Sequence, residues 1–184
     1  MKKDFPVFKS LKILVASAFL AALSIILGKY LAIPIGNVMR FSFENLPIIF
    51  AGVVFGPIVG ALVGTVADLI GCVLVGYTIN PMVTLGAASI GAVSGIVFIL
   101  MRKAHLGTPT AAAISIIFAH VVGSVLIKTV GLAAFYSMPL FILMLWRLLN
   151  YVIVGALECL LLLVLIRNKS VIRHIKSLGG RDLS

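Results

Sequence analysis

Residues Asn45 to Tyr77 read NLPIIFAGVVFGPIVGALVGTVADLIGCVLVGY, and whether this apolar run crosses a membrane once or twice decides the fold. Gly56 and Pro57 punctuate it. A proline disfavours helix in the residue before it, and a Gly-Pro pair marks a turn, so the run divides there into two helices. The first piece, Leu46 to Phe55, is then only about 15 Å long, too short to cross a hydrocarbon core unaided. It has to be tilted, extended by the preceding RFSF, or shielded by its neighbours.

The rest of the chain supplies the reason to accept so short a helix. Of 184 residues 62% are hydrophobic and 11% charged, and the mean hydropathy is +1.25, well outside soluble composition. Apolar runs of about 20 residues suit membrane helices, and the alternation of an outer-membrane barrel is missing. The chain therefore reads as one all-α integral membrane domain over residues 1–184. Its first apolar run is too long for a signal-peptide core and is kept as a helix.

The net charge of +10 is distributed as topology rather than as a nucleic-acid surface. Lys2, Lys3, Lys9 and Lys12 precede the first apolar run, Arg102 and Lys103 break the middle, and Arg167, Lys169, Arg173, Lys176 and Arg181 form the tail. No basic stripe with interleaved aromatics accompanies them. Excess Lys and Arg marks the cytoplasmic side. With all three segments inside, an even number of crossings lies between each pair, which two spans in Asn45 to Tyr77 satisfy and one does not. The expectation is a six-transmembrane-helix bundle with both termini inside. Its helices fall near 11–33, 42–56, 57–76, 82–101, 109–130 and 139–166, and a basic cytoplasmic tail occupies 167–184. AIPIGNVMRFSFENLP, GYTINP and GLAAFYSMP then face outside.

Polar residues inside a membrane are costly and point to substrate or ion paths. Asp68 lies among glycines and aliphatics on the third helix, below its outer end. His120, Ser124 and Lys128 repeat every four residues on the fifth helix, and Arg147, Asn150, Tyr151 and Glu158 share a face of the sixth. This topology gathers Asp68, Lys128, Trp146, Arg147 and Asn150 in the outer half of the bundle, with His120 near mid-membrane. Arg40, Phe41, Phe43, Glu44, Tyr77 and Asn80 stand in the outer loops above them. These twelve are the candidate substrate-binding residues of a cavity reached from outside. The alternatives are a structural pair of Asp68 with Arg147 or Lys128, a hydrogen-bonded core His120, and interfacial anchoring by Trp146 and Tyr77. Glu158 reads as a helix–helix polar contact, and Lys29 and Tyr30 as the wet end of the first helix. Gly56, Gly60 and Gly64 form a small-residue stripe that admits a close neighbour.

Chemistry beyond binding is missing from the sequence. There is no Walker A, HExxH or GxSxG pattern, and no carboxylate cluster for a divalent metal. Cys72 and Cys159 stand alone in apolar runs, without CxxC spacing. No enzyme activity, metal or cofactor is expected.

The stretch RFSFENLPIIFAGVVFGPIVGALVGTVADLIG, Arg40 to Gly71, resembles the folate-type substrate-binding S component of bacterial energy-coupling factor (ECF) transporters. Length, six-helix layout and basic termini fit over the whole chain. The resemblance implies an S-component-like fold in the bacterial cytoplasmic membrane and high-affinity capture of a vitamin from outside. It also implies delivery through a transmembrane coupling subunit served by two ATPase subunits. In ASAFLAALS, Ala18 and Ala22 match the AxxxA element with which S components pack on that subunit. Folate suits the polar residues: a pterin presents two adjacent donors that the Asp68 carboxylate can accept together, and the glutamate carboxylates suit Arg147, Lys128 or Arg40. Trp146, Phe41, Phe43 and Tyr77 could wall the flat rings. An S component for another vitamin, a proton-coupled secondary transporter using Asp68 and Glu158, and a membrane enzyme or assembly factor are the alternatives.

Overall fold

The computed structural model describes residues 10–35, 39–181 and 183, with Pro34, Ile35, Met39 and Arg40 described by backbone only. The described residues form a helical bundle with five helices long and apolar enough to cross a membrane, together with one shorter apolar helix.

Helix α1 runs Leu11–Tyr30 and widens into a π turn over Ile26–Tyr30. It stops short of residue 33, because Ile33–Ile35 (β1) and Met39–Phe41 (β2) pair antiparallel, with Ile33 opposite Phe41. Pro34 has no N–H to continue a helix. This small hairpin was not expected from the sequence, since three-residue strands carry almost no alternation to read.

Helix α2 is Asn45–Phe55. It ends at Gly56, whose φ of 110° suits glycine, and α3, Pro57–Leu74, begins on the next residue with proline at its first position. Residues 42–44 stay outside the helix, so no helical RFSF extension lengthens α2. Burial answers the length problem instead: Ile49, Ala51, Val53 and Val54 are fully buried, enclosed by α1, α3 and α4.

Gly76 makes the turn into α4, Pro81–Lys103, where the Asn80 side chain accepts from the Met82 and Val83 amides at 3.0 and 3.4 Å. Helix α5 spans Thr108–Tyr136 and contains a π segment over His120–Ile127. It absorbs most of GLAAFYSMP, whose Leu-Ala-Ala core favours helix, and only the short Ser137–Pro139 link precedes α6, Leu140–Arg167. Within the tail, α7 forms over Lys169–Ser177. The segment after it returns to the bundle: the Arg181 amide donates to the Val54 carbonyl at 2.9 Å and its guanidinium to Val53 at 3.4 Å, satisfying late carbonyls of α2.

The tightest packing joins α3 to α4 through small residues. A methyl added at Gly91 would strike the Gly60 backbone, and one at Gly64 would strike the Ala87 carbonyl. Where lipid removes the hydrophobic drive between helices, such backbone proximity supplies the dispersion energy that holds them. Helix α6 is the most peripheral, with large exposed apolar side chains along much of its length.

Candidate functional site

Lys29 from α1, Glu44 just before α2, Asp68 from α3 and Lys128 from α5 line one cleft, with Ser24 and Ile48 completing its wall. Three of these long side chains lie against glycines. A methyl at Gly28 would meet Glu44 Cβ at 2.7 Å, one at Gly71 would meet Lys29 Cε at 2.8 Å, and one at Gly86 would run into the Lys128 stem. The glycines thus make room for charged groups to reach inward.

Lys128 is 4% exposed, and its Nζ donates to Glu44 Oε1 at 3.1 Å. An ammonium so deep in an apolar bundle needs such a partner. Ser24 Oγ donates to the Glu44 carbonyl at 2.6 Å, which fixes the backbone that carries the carboxylate. Asp68 is half-buried and accepts from Thr84 Oγ1 at 2.7 Å. The Lys128 ammonium pairs with Glu44, and among the described residues Asp68 forms no ion pair with Lys128 or Arg147, the pairing that the sequence allowed. The cleft brings two carboxylates and two ammonium groups around a cavity of about 10 Å³, room for one water, far below the roughly 300–1,000 Å³ typical of small-molecule sites.

Other candidates stand elsewhere. His120 belongs to a second, buried polar cluster in which Nε2 lies 2.6 Å from Glu158 Oε2 and Nδ1 lies 3.3 Å from Ser124 Oγ. Tyr151 stacks on the His120 ring at 4.9 Å. Arg147 extends to the Tyr151 hydroxyl at 3.2 Å and lies over its ring. Glu158 therefore makes the interhelix contact expected of it. Asn150 is half-buried on α6, whereas Trp146 is exposed on that helix, outside the cleft lining. Asn80 caps α4 and also donates to the Gly131 carbonyl at 3.0 Å, a structural use of its amide. Phe41 and Phe43 meet edge to face at 5.8 Å. The Arg40 side chain lies outside the described residues.

Lys29 is a correction to the sequence reading. It is no idle end of α1: its stem crosses Gly71, its ammonium lies 5.7 Å from the Tyr77 ring centre, and it lines the cleft. Thr84 and Ser24 were also missed, being ordinary small polar residues within apolar helices. Ala18 and Ala22 are both exposed on α1, beside exposed Val15, Phe19 and Ile26. Among the described residues no group of His, Cys, Asp and Glu is arranged to hold a metal ion.

Residues 8–170 match the family model described as "ECF-type riboflavin transporter, S component". No curated protein matches the chain. Among solved structures, FolT bound with folic acid is similar at a TM-score of 0.65 and 21% identity, over 80% of this chain and 87% of that one. An S component for biotin from an ECF-type ABC transporter is similar at a TM-score of 0.65 and 19% identity, over 91% and 95%. The S component of a bacterial ECF transporter gives 0.62 and 19%, over 84% and 95%. At these identities the structural likeness establishes the fold. The family match spans most of the sequence, and the chain belongs to the S components of ECF-type transporters, multi-pass membrane subunits that bind a vitamin substrate and are not enzymes.

Proposed function

We propose that this S component captures folate from the outer side of the bacterial cytoplasmic membrane and presents it to a transmembrane coupling subunit driven by two ATPases. The observation that carries the reading is the charge arrangement of one cleft: the Asp68 carboxylate stands with the ammonium groups of Lys29 and Lys128. A pterin offers adjacent donors to a carboxylate, and the glutamate end of folate offers carboxylates to cations. Lys128 is held by Glu44, and a folate carboxylate would take the place of Glu44 as the cleft widens. Arg147 and Arg40 are assigned to the same anionic end, and Tyr77, Phe41, Phe43 and Trp146 to the rings. His120, Asn150 and Asn80 are assigned to the polar periphery of the bound state.

Six crossings with both termini inside fit this direction of capture. The basic break at Arg102 and Lys103 and the basic tail then lie in the cytoplasm, and the hairpin and the cleft mouth face outward. Ala18 and Ala22 form the coupling strip, exposed and small enough for a partner helix to approach.

Riboflavin is the second reading, favoured by the description of the matching family. Its ring is flat and its chain carries hydroxyls but no carboxylate, so it makes less use of the two cations of the cleft. Calorimetric titration of the purified full chain with folate, riboflavin and biotin tests the assignment. Folate should bind tightly and the others weakly. Tight binding of riboflavin with none of folate would overturn the folate assignment while leaving the S-component role intact.

A further inference from the structure

The short helix α7 divides its residues by chemistry. Val171 and Ile172 are half-buried and Ile175 is buried in the core, while Lys169, Arg173 and Lys176, spaced four and three apart, are exposed on the other side. An amphipathic helix at a membrane surface ordinarily sinks its apolar side into the interface. Here the protein already occupies that side. A methyl at Gly180 would meet both Ile175 and Val54, Arg181 bonds the Val53 and Val54 carbonyls, and Leu183 is buried. The segment after α7 thus ties the helix to the end of α2 and holds its basic side outward.

Other cations join that side. Lys12 of α1 donates to the Ser177 carbonyl, at the end of α7, over 3.4 Å. Arg167, exposed, closes α6 two residues before Lys169. These groups stand at the margin of the apolar outer surface: Val164 and Leu165 are exposed on the last turn of α6, and Leu11 and Leu14 flank Lys12 on the first turn of α1. The described carboxylates are Glu44, Asp68 and Glu158. The first two line the cleft and the third is buried against His120, so none of them offsets this charge; Asp4 and Asp182 lie outside the described residues.

We propose that Lys12, Arg167, Lys169 and Arg173 form a binding surface for the headgroups of anionic phospholipids. The lipid phosphate would sit among these cations, with the acyl chains along the exposed aliphatic side chains of α6 and α1. Clusters of Lys and Arg directly after a transmembrane helix, or on an amphipathic helix, suit such lipids, each base near an anionic surface giving about a fivefold gain. Lipid fits better than an acidic protein because Lys12 and Arg167 lie within three residues of lipid-facing side chains, at headgroup depth. Since the apolar side of α7 is packed on the bundle, the attraction is electrostatic and falls with salt. The inference rests on the chain being a membrane protein and not on the identity of its vitamin; in the orientation proposed above the leaflet is the cytoplasmic one.

The test titrates the detergent-solubilised full chain with dioleoylphosphatidylglycerol, dioleoylphosphatidylcholine or glycerol 3-phosphate and measures what stays bound by native mass spectrometry. Phosphatidylglycerol should bind at least about tenfold more tightly than phosphatidylcholine, and glycerol 3-phosphate should not be retained. Lys169→Gln combined with Arg173→Gln should weaken phosphatidylglycerol about 25-fold, two factors of about five. Its Tm should stay within about 2 °C, because both side chains are exposed. Lys169→Arg combined with Arg173→Lys keeps both charges and should bind the lipid normally. Salt at about 1 M, where the Debye length is about 3 Å, should erase the preference. Equal binding of the two lipids, a preference that survives the Gln pair or high salt, or retention of glycerol 3-phosphate as firmly as lipid would overturn the proposal. A Gln pair that keeps its lipid but no longer assembles with the ATPase module would also overturn it, assigning the face to a protein partner.

Discussion

Lys128→Met keeps the length and apolar stem of the side chain and removes only its ammonium, leaving the half-buried Glu44 without its partner. At the observed 3.1 Å, Coulomb attraction at an effective dielectric of 20 is about 5 kcal/mol. The Glu44 side chain retains 26% exposure, so water recovers part of this, and the cost falls toward the lower end of the roughly 3–5 kcal/mol seen when one member of a buried pair is removed. A loss of about 3 kcal/mol corresponds to a fall in Tm of roughly 6–12 °C for a chain of this size. Thermal unfolding of the detergent-solubilised full chain measures it. Adding Glu44→Gln to Lys128→Met removes the stranded charge and should restore at least half the lost Tm. An unchanged Tm in Lys128→Met, or a double variant no better than the single, would show that the pair does not hold the cleft.

Asp68→Asn keeps an acceptor for Thr84 but replaces a charged two-oxygen acceptor, so calorimetry should show folate binding weakened by more than about tenfold, consistent with about 1.5–3 kcal/mol for a charge-assisted bond. Unchanged affinity in the folded variant would remove Asp68 from the site. Arg147→Ala should weaken folate much more than a pterin lacking the glutamate, and equal losses for the two ligands would assign Arg147 to its contact with Tyr151 instead. Ala18→Trp or Ala22→Trp should abolish ATP-dependent uptake in cells that supply the coupling module, while the purified chain binds folate normally. Normal uptake, or binding lost together with uptake, would refute the coupling role of this face.

Where residue type alone dictates structure, the sequence was readable. The apolar runs declare membrane helices, and Gly56-Pro57 marks a break that the structure realises with a φ of 110° at Gly56. The glycine spacing that suggested a close neighbour corresponds to α3 lying backbone to backbone on α4. Legibility fails where tertiary contact decides. The short α2 is tenable because other helices and the returning tail surround it, and the Arg181 bonds to Val53 and Val54 link residues far apart in sequence. Lys29 looked like a solvated helix end because nothing local reveals that Gly71, on another helix, opens a path for its stem. His120 and Lys128 share a face by spacing, yet one pairs with Glu158 and the other with Glu44. Periodicity fixes a direction around one helix and says nothing about which carboxylate arrives from its neighbours.

The central claim is capture of folate by the chain alone, and it is tested most directly by purifying the full chain without any partner from cells grown with folate and identifying what it carries by mass spectrometry. One folate per chain, released on denaturation and reduced in Asp68→Asn, is the predicted result; a chain that carries riboflavin or another vitamin in its place, or no small molecule even after incubation with excess folate, would contradict it.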